Sequence, residues 1–278
     1  MGTVDASGAK LYIEETGTGY PVIFVHEFGA DCREWEAQVS WFSRSYRCIT
    51  FNARGYPPSE VPADRALYGY EYAVADIAAV MRGLDINKAH IVGLSMGAYA
   101  TLCFGLRHPQ KASALVVAGV GSGSPPAQRQ AFVEQSEAAA QAFLDEGSAA
   151  LAQTMGMSPT RVQLLRKDPR GWDKFMQHLR GHDPQGMANT LAMYQARRPS
   201  LEDFEKELST LKLPILLAVG DEDEPCVETN LFLKKTIPSA GLWMSPNTGH
   251  AINLEEPAAF NTTVQNFFNE VERGRWRS

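Results

Sequence analysis

The chain has 278 residues, 44% of them hydrophobic and 21% charged, with a formal net charge of −6. That size suits one large core, with or without an insertion, and the negative balance speaks against nucleic acid or an anionic membrane as the main partner. The four cysteines, Cys32, Cys48, Cys103 and Cys226, show none of the paired spacings of zinc or redox sites and read as buried, inert thiols. No uncharged run approaches the roughly 18 residues that cross a bilayer. The opening Met1-Gly2-Thr3-Val4-Asp5 lacks a basic segment followed by an apolar one. The expectation is a soluble, cytoplasmic protein without a membrane partner.

Short apolar runs alternate with helical patterns along the chain, the rhythm of βα units on a mostly parallel sheet. Residues 10–15 read as an antiparallel lead-in strand, followed by a strand at 21–26, a helix at 34–43, a strand at 47–52 and a helix at 71–83. A strand at 90–94, a helix at 95–107 and a strand at 114–120 come next. Residues 123–207 then break the rhythm with helical patterning and turn residues but no convincing strand. They read as a helical lid inserted into a core of residues 1–122 and 208–278, with Gly121-Ser122-Gly123-Ser124-Pro125-Pro126 as the exit hinge. Strands at 214–220 and 241–245 and helices at 228–236 and 257–272 complete the core. The continuous Val, Ile, Leu and Phe content of the strands fits a sheet covered on both faces.

The chemistry begins at Gly93-Leu94-Ser95-Met96-Gly97, directly after the apolar run His90-Ile91-Val92. This is the G-x-S-x-G form of a nucleophile elbow, a strained strand-to-helix turn that lifts a serine hydroxyl clear of the backbone. Glycines flank the serine because a Cβ at either position would collide with neighbouring backbone. A serine there needs a base. Asn247-Thr248-Gly249-His250 follows the last predicted strand, so His250 lies at the carboxyl edge of the sheet, the edge that Ser95 occupies and where ligands gather. His26, His90, His108, His178 and His182 read as structural. The acid that orients the imidazole is expected from Asp221-Glu222-Asp223-Glu224, which closes the strand at 214–220. Asp223 is the first choice, one short turn past Gly220, with Asp221 as the alternative. Residues 119–128 contain no acid that could compete.

Taken in order, Ser95, Asp223 and His250, with the elbow and Gly249-His250, resemble the α/β-hydrolase fold superfamily. Val25-His26-Glu27-Phe28-Gly29 is similar to its oxyanion loop, Asn52-Ala53-Arg54-Gly55-Tyr56-Pro57-Pro58-Ser59 to its D-x-R-G-x-G-x-S segment, and Glu255-Glu256-Pro257 with Phe260 to its closing signature. The resemblance implies an eight-stranded, mostly parallel sheet flanked by helices, with the lid inserted after the sixth strand. It also implies an oxyanion hole from the backbone N–H groups of Phe28 and Met96. Serine at the elbow argues against the relatives that attack with aspartate. Two positions depart from the pattern. Glu27 stands where the family usually has glycine; it could point to solvent, line the pocket mouth and disfavour anionic substrates, or join the chemistry. Asn52 stands for the usual aspartate, so Arg54 pairs elsewhere or braces the loop.

Within the lid, Trp172, Met176 and Tyr194 are the candidates for an apolar pocket lining. Arg161, Arg166, Lys167 and Arg170 read as a solvated face, and Arg197-Arg198 as a link from the returning lid to the core. The expected function is a serine hydrolase, free of metal and cofactor, that cleaves a small to medium, fairly apolar carboxylic ester or lactone through an acyl-enzyme. A carbon–carbon bond hydrolase or a slowly hydrolysing ligand receptor of the same fold stays open, and the oligomeric state is not read.

Overall fold

The computed structural model describes residues 1–123 and 126–276; Ser124 and Pro125 of the expected hinge lie outside the described residues. The chain opens with β1 (Gly2–Ala6), β2 (Ala9–Thr16) and β3 (Tyr20–Val25), then α1 (Glu36–Phe42), β4 (Tyr46–Phe51) and α2 (Tyr70–Gly83). Next come β5 (Ala89–Leu94), α3 (Met96–Arg107) and β6 (Ala112–Ala118). Among its described residues the segment that follows holds helices and no strand: α4 (Arg129–Glu146), α5 (Ser148–Gly156), α6 (Val162–Lys167), α7 (Pro169–Arg180), α8 (Pro184–Asn189), a π-helical turn at Thr190–Gln195 and the short α9 (Glu205–Leu208). The core resumes with β7 (Ile215–Gly220), α10 (Glu224–Thr236), β8 (Ala240–Ser245), α11 (Ile252–Glu255) and α12 (Pro257–Glu272).

The eight strands form one sheet in the order β1-β2-β4-β3-β5-β6-β7-β8. β1/β2 and β2/β4 pair antiparallel and every other pair is parallel. The lead-in read from sequence is therefore a hairpin. Its first strand escaped notice because only Val4 of Gly2–Ala6 is buried, so an edge strand shows no apolar run. α10 also begins earlier than expected, at Glu224, because Pro225 is accepted in the first helical turn, where its missing N–H costs nothing.

Alternation along the strands splits the core into two layers. Ile23, Val25, Ile49, Phe51, Ile91 and Leu217 face the side of α2 and α3. Val22, Phe24, Val92, Val116 and Leu216 face Trp35, Phe42, Phe260 and Phe268 on the other. Each fully buried side chain of this kind contributes roughly 1.5–3 kcal/mol. That rigid slab delivers Ser95, Asp223 and His250 from the ends of β5, β7 and β8 to one edge. Among the described residues no helix is long and apolar enough to cross a membrane.

Candidate active site

Ser95 sits between β5 and α3 with φ 54° and ψ −111°, a left-handed conformation that non-glycine residues avoid. Its surroundings enforce it. Ser95 N donates to Ala118 O at 2.8 Å, and its carbonyl accepts from Tyr99 N at 3.0 Å. A Cβ on Gly93 would lie 2.4 Å from Gly97 O, and one on Gly97 only 2.1 Å from Val25 O. The elbow thus packs directly onto the end of β3, where the loop carrying Phe28 starts. Strain of this kind costs on the order of 1–3 kcal/mol and persists only where packing over-determines it.

His250 Nδ1 lies 2.8 Å from Asp223 Oδ2, and both side chains are largely buried. A carboxylate accepts, so Nδ1 carries the proton and Nε2 keeps the lone pair that a general base needs. The alternative acid is engaged elsewhere: Asp221 Oδ1 accepts from Thr248 N at 3.1 Å. Glu255 Oε2, on the closing signature, accepts from Gly249 N at 2.7 Å and pins the loop that carries the histidine. Ser95 and His250 border one open cleft of about 900 Å³.

The loop of residues 25–29 is braced from beneath by His26. Its Nε2 accepts from Ala53 N at 2.9 Å, so the proton resides on Nδ1, which donates to Glu27 O at 2.7 Å. Burial pulls the His26 pKa down and favours this neutral tautomer. Phe28 follows on the loop, its ring edge-on to Phe143 of the lid at 6.2 Å. Met96 is the first residue of α3, so its N–H has no intrahelical acceptor. Its carbonyl accepts from Tyr194 Oη at 2.7 Å.

Glu27 does not point to solvent. It is fully buried, and Arg161 grips it bidentately, Nη1 on Oε1 at 2.8 Å and Nη2 on Oε2. Oε2 also lies 3.5 Å from His250 Nε2. Burial alone would push the Glu27 carboxyl up, but the Arg161 charge, the His250 ring and hydrogen bonds bring it below its ordinary value. Beneath it, Glu34 Oε2 accepts from Glu27 N at 3.1 Å. Burial, and then the negative charge of Glu27, push the Glu34 carboxyl well above the usual range. Glu27 is absent from the residues with positive φ, and Gly29 (φ 81°) takes that conformation instead. A Cβ at position 27 is therefore accommodated without strain.

Two further expectations are corrected. Arg161 and Lys167 are not a solvated face. Lys167 Nζ donates to Glu256 Oε1 at 2.7 Å and to Thr248 Oγ1 at 3.2 Å. Trp172 and Met176 pack away from Ser95, around Gly156 at the junction of α5 and α7. Trp172 Nε1 donates to Gly156 O at 3.5 Å, and a Cβ on Gly156 would lie 2.2 Å from Met176 Sδ. Neither they nor Tyr194, the third expected lining residue, borders the cleft that holds Ser95 and His250. Arg54 forms a buried ion pair with Asp76, Nε on Oδ2 at 2.8 Å, while Asn52 Nδ2 donates to Pro57 O at 2.8 Å and Oδ1 accepts from Cys32 N at 2.9 Å. An amide, with both a donor and an acceptor, serves that position where a carboxylate could only accept.

The fold agrees with comparisons against known proteins. A sequence profile of the alpha/beta hydrolase fold matches residues 20–257. The chain belongs to this family. A curated relative, a putative 2-succinyl-6-hydroxy-2,4-cyclohexadiene-1-carboxylate synthase of Bacillus subtilis, is 25% identical over 98% of this chain and 100% of its own length. The 3-oxoadipate enol-lactonase 2 of Acinetobacter baylyi is 24% identical over 88% of this chain and 86% of its own. Among solved structures, a thermophilic esterase from Thermogutta terrifontis superposes with a TM-score of 0.87 at 25% identity, covering 97% of this chain and 98% of that one. The protein is an α/β-hydrolase enzyme.

In this hydrolase all four cysteines are buried. Cys226 joins Asp223 and His250 in a trio whose ligand-type atoms lie within 4.8 Å of one another. Burial, with the Asp223 charge, pushes the Cys226 thiol well above its usual range, and Sγ donates to Gly119 O at 3.3 Å. Two of the trio's atoms already have protein hydrogen-bond partners, Sγ on Gly119 O and His250 Nδ1 on Asp223 Oδ2. The lid also reaches the histidine through its main chain, because Thr160 O accepts from His250 N at 2.6 Å. Sequence reasoning missed Glu34, the pairing of Arg161 with Glu27, and the bond by which Glu255 pins Gly249. The signal that could have found Arg161 was Glu27 itself, since a carboxylate in a glycine position on a buried loop demands a cation.

Proposed function

We propose that this enzyme hydrolyses a small to medium carboxylic ester or lactone through an acyl-enzyme. Ser95 Oγ attacks the carbonyl carbon, and its proton passes to His250 Nε2. Asp223, holding Nδ1–H, fixes the tautomer and balances the imidazolium. The N–H groups of Phe28 and Met96 receive the charge that develops on the carbonyl oxygen; each such donor is typically worth about 10²–10³ in rate. The imidazolium returns its proton to the leaving alkoxide, and a water deprotonated by Nε2 then releases the acyl group. Glu27 serves here beside His250, its own charge offset by Arg161, and Tyr194 serves by fixing the Met96 peptide. For Trp172 and Met176 the packing at Gly156 supports a role in lid shape.

The observation that carries this reading is the 2.8 Å contact of His250 Nδ1 with Asp223 at the mouth of the cleft that Ser95 also borders. The test is an acyl-length series of 4-nitrophenyl esters with wild type and Ser95→Ala. Multiple turnover by wild type and a loss of at least about 10⁴-fold in the variant are expected. Full turnover by Ser95→Ala would remove the mechanism. A single burst with a persistent adduct would point to a slowly hydrolysing receptor.

A further inference from the structure

Among the described residues three arginines are largely enclosed, and two of them are satisfied by carboxylates: Arg54 by Asp76 and Arg161, 13% exposed, by Glu27. The third is Arg198, only 8% exposed, at the point where the lid rejoins the core. Its Nε and Nη1 have no hydrogen-bond partner among the described residues. What it does have is a ring: its Cζ lies 4.7 Å from the centroid of Tyr99. A ring engages the face of a guanidinium, so the donors in the guanidinium plane remain unmet. Burying such a cation without a counter-charge is costly, yet the structure holds it in place from several sides. Arg198 N donates to Tyr194 O at 3.0 Å, Arg198 O accepts from Arg129 Nη1 at 3.0 Å, and a Cβ on Gly123 would lie 3.3 Å from Arg198 Cγ.

Arg198 borders the same 900 Å³ cleft as Ser95 and His250. Phe132, Pro225 and Phe232 supply an apolar stretch of that cleft. The acids that also border it, Glu202, Glu224 and Glu228, are solvent-exposed. They form an acidic rim around a single buried cation. A polyanion is repelled by that arrangement, whereas a compact apolar ligand ending in one anionic group satisfies both regions.

We infer that Arg198 is the carboxylate-binding subsite of this hydrolase, and that its preferred substrate is an ester or lactone whose apolar body ends in a single free carboxylate. This rests on the hydrolytic reading of Ser95 given above. A carboxylate matches the planar fork of the guanidinium and accepts from it in a charge-assisted pair. It supplies the counter-charge that no carboxylate among the described residues gives Arg198. The same ligand places its carbonyl at Ser95 and its tail at the lid's return point, so Arg198 selects substrate and takes no part in bond breaking.

Two esters matched in length test this: 4-nitrophenyl hexanoate, which is neutral, and the mono-4-nitrophenyl ester of hexanedioic acid, which is anionic. Wild type is expected to favour the anionic ester in kcat/KM, chiefly through KM. Arg198→Gln should lower the anionic-to-neutral ratio by about 10- to 100-fold, and Arg198→Lys should restore part of it. A wild-type preference for the neutral ester, or a ratio unmoved by Arg198→Gln, overturns the inference while leaving the Ser95 mechanism intact. Binding is read without turnover by calorimetry with monomethyl hexanedioate in a Ser95→Ala background. Affinity lost on adding Arg198→Gln supports the subsite, and equal affinity rejects it. If neither 4-nitrophenyl ester turns over, the hydrolytic reading fails on its own account and the calorimetry still decides the subsite. Should Arg198→Gln not fold, Arg198→Lys and the wild-type preference decide it.

Discussion

Two carboxylates flank His250, and they are built differently. Asp223 comes from the core, one short turn past β7, and meets Nδ1 at 2.8 Å with no lid side chain in the contact. Glu27, 3.5 Å from Nε2, is buried beside the ring in company with Arg161, a lid residue 134 positions away in sequence. The first acid belongs to a frame that the sheet makes rigid. The second is tolerable only while lid and core are docked, since an unpaired buried carboxylate is costly. One histidine thus reports on both halves of the molecule.

The contrast is sharpest in turnover. Asp223→Asn should reduce kcat by about 10⁴-fold, because the wrong tautomer is then favoured. Glu27→Gln should cost far less. Equal losses at the two positions in a steady-state assay would erase the distinction drawn above. Next in size is stability. Arg161→Met strands the Glu27 charge and is expected to cost about 3–5 kcal/mol in urea unfolding, with much of it recovered in the Glu27→Gln/Arg161→Met double variant. Purely additive losses would show that the two residues do not form a unit.

The pH dependence of stability separates Glu27 from its neighbour Glu34. Glu27 is held below its ordinary value, so its contribution is present above about pH 4.5 and fades as the pH falls through its folded value. Glu34 is raised, so the folded state keeps a proton that the unfolded chain releases, and stability falls as the pH climbs above about 4.5. Glu34→Gln should therefore make the slope of unfolding free energy between pH 4.5 and 7 more positive, and Glu27→Gln should lessen the loss below pH 4.5. Unfolding titrations with identical slopes in all three proteins would contradict the assignment. The smallest effect is expected at Tyr194→Phe, which removes the bond to Met96 O. About 1 kcal/mol of stability and less than tenfold in kcat should be lost, and a drop as large as that of Asp223→Asn would mean that Tyr194 touches the chemistry.

Much of the core was legible in the sequence because its signals are local. The buried runs that became β3 to β7 are short and nearly continuous, and the elbow needs only five consecutive residues to declare itself. The lid's helical character was equally plain, since Arg129–Glu146 and Ser148–Gly156 are rich in alanine. What escaped was whatever depends on partners distant along the chain. Arg161 looks like any surface cation until Glu27 is placed opposite it. Trp172 and Met176 look like pocket walls until Gly156 is seen to receive them. β1 was hidden because an edge strand buries only one side chain in five, Val4. Nor could patterning tell Arg198, buried over Tyr99, from its exposed neighbour Arg197.

The 2.6 Å bond from His250 N to Thr160 O has a consequence for how such enzymes are recombined. A cap that clasps the main chain of His250 is no interchangeable accessory. Grafting a foreign one at residues 123 and 207 would swap the ceiling and also unfasten the loop beneath it. Chimeras of this protein should succeed only when the donor cap brings its own counterpart of the Ser158-Pro159-Thr160-Arg161 stretch.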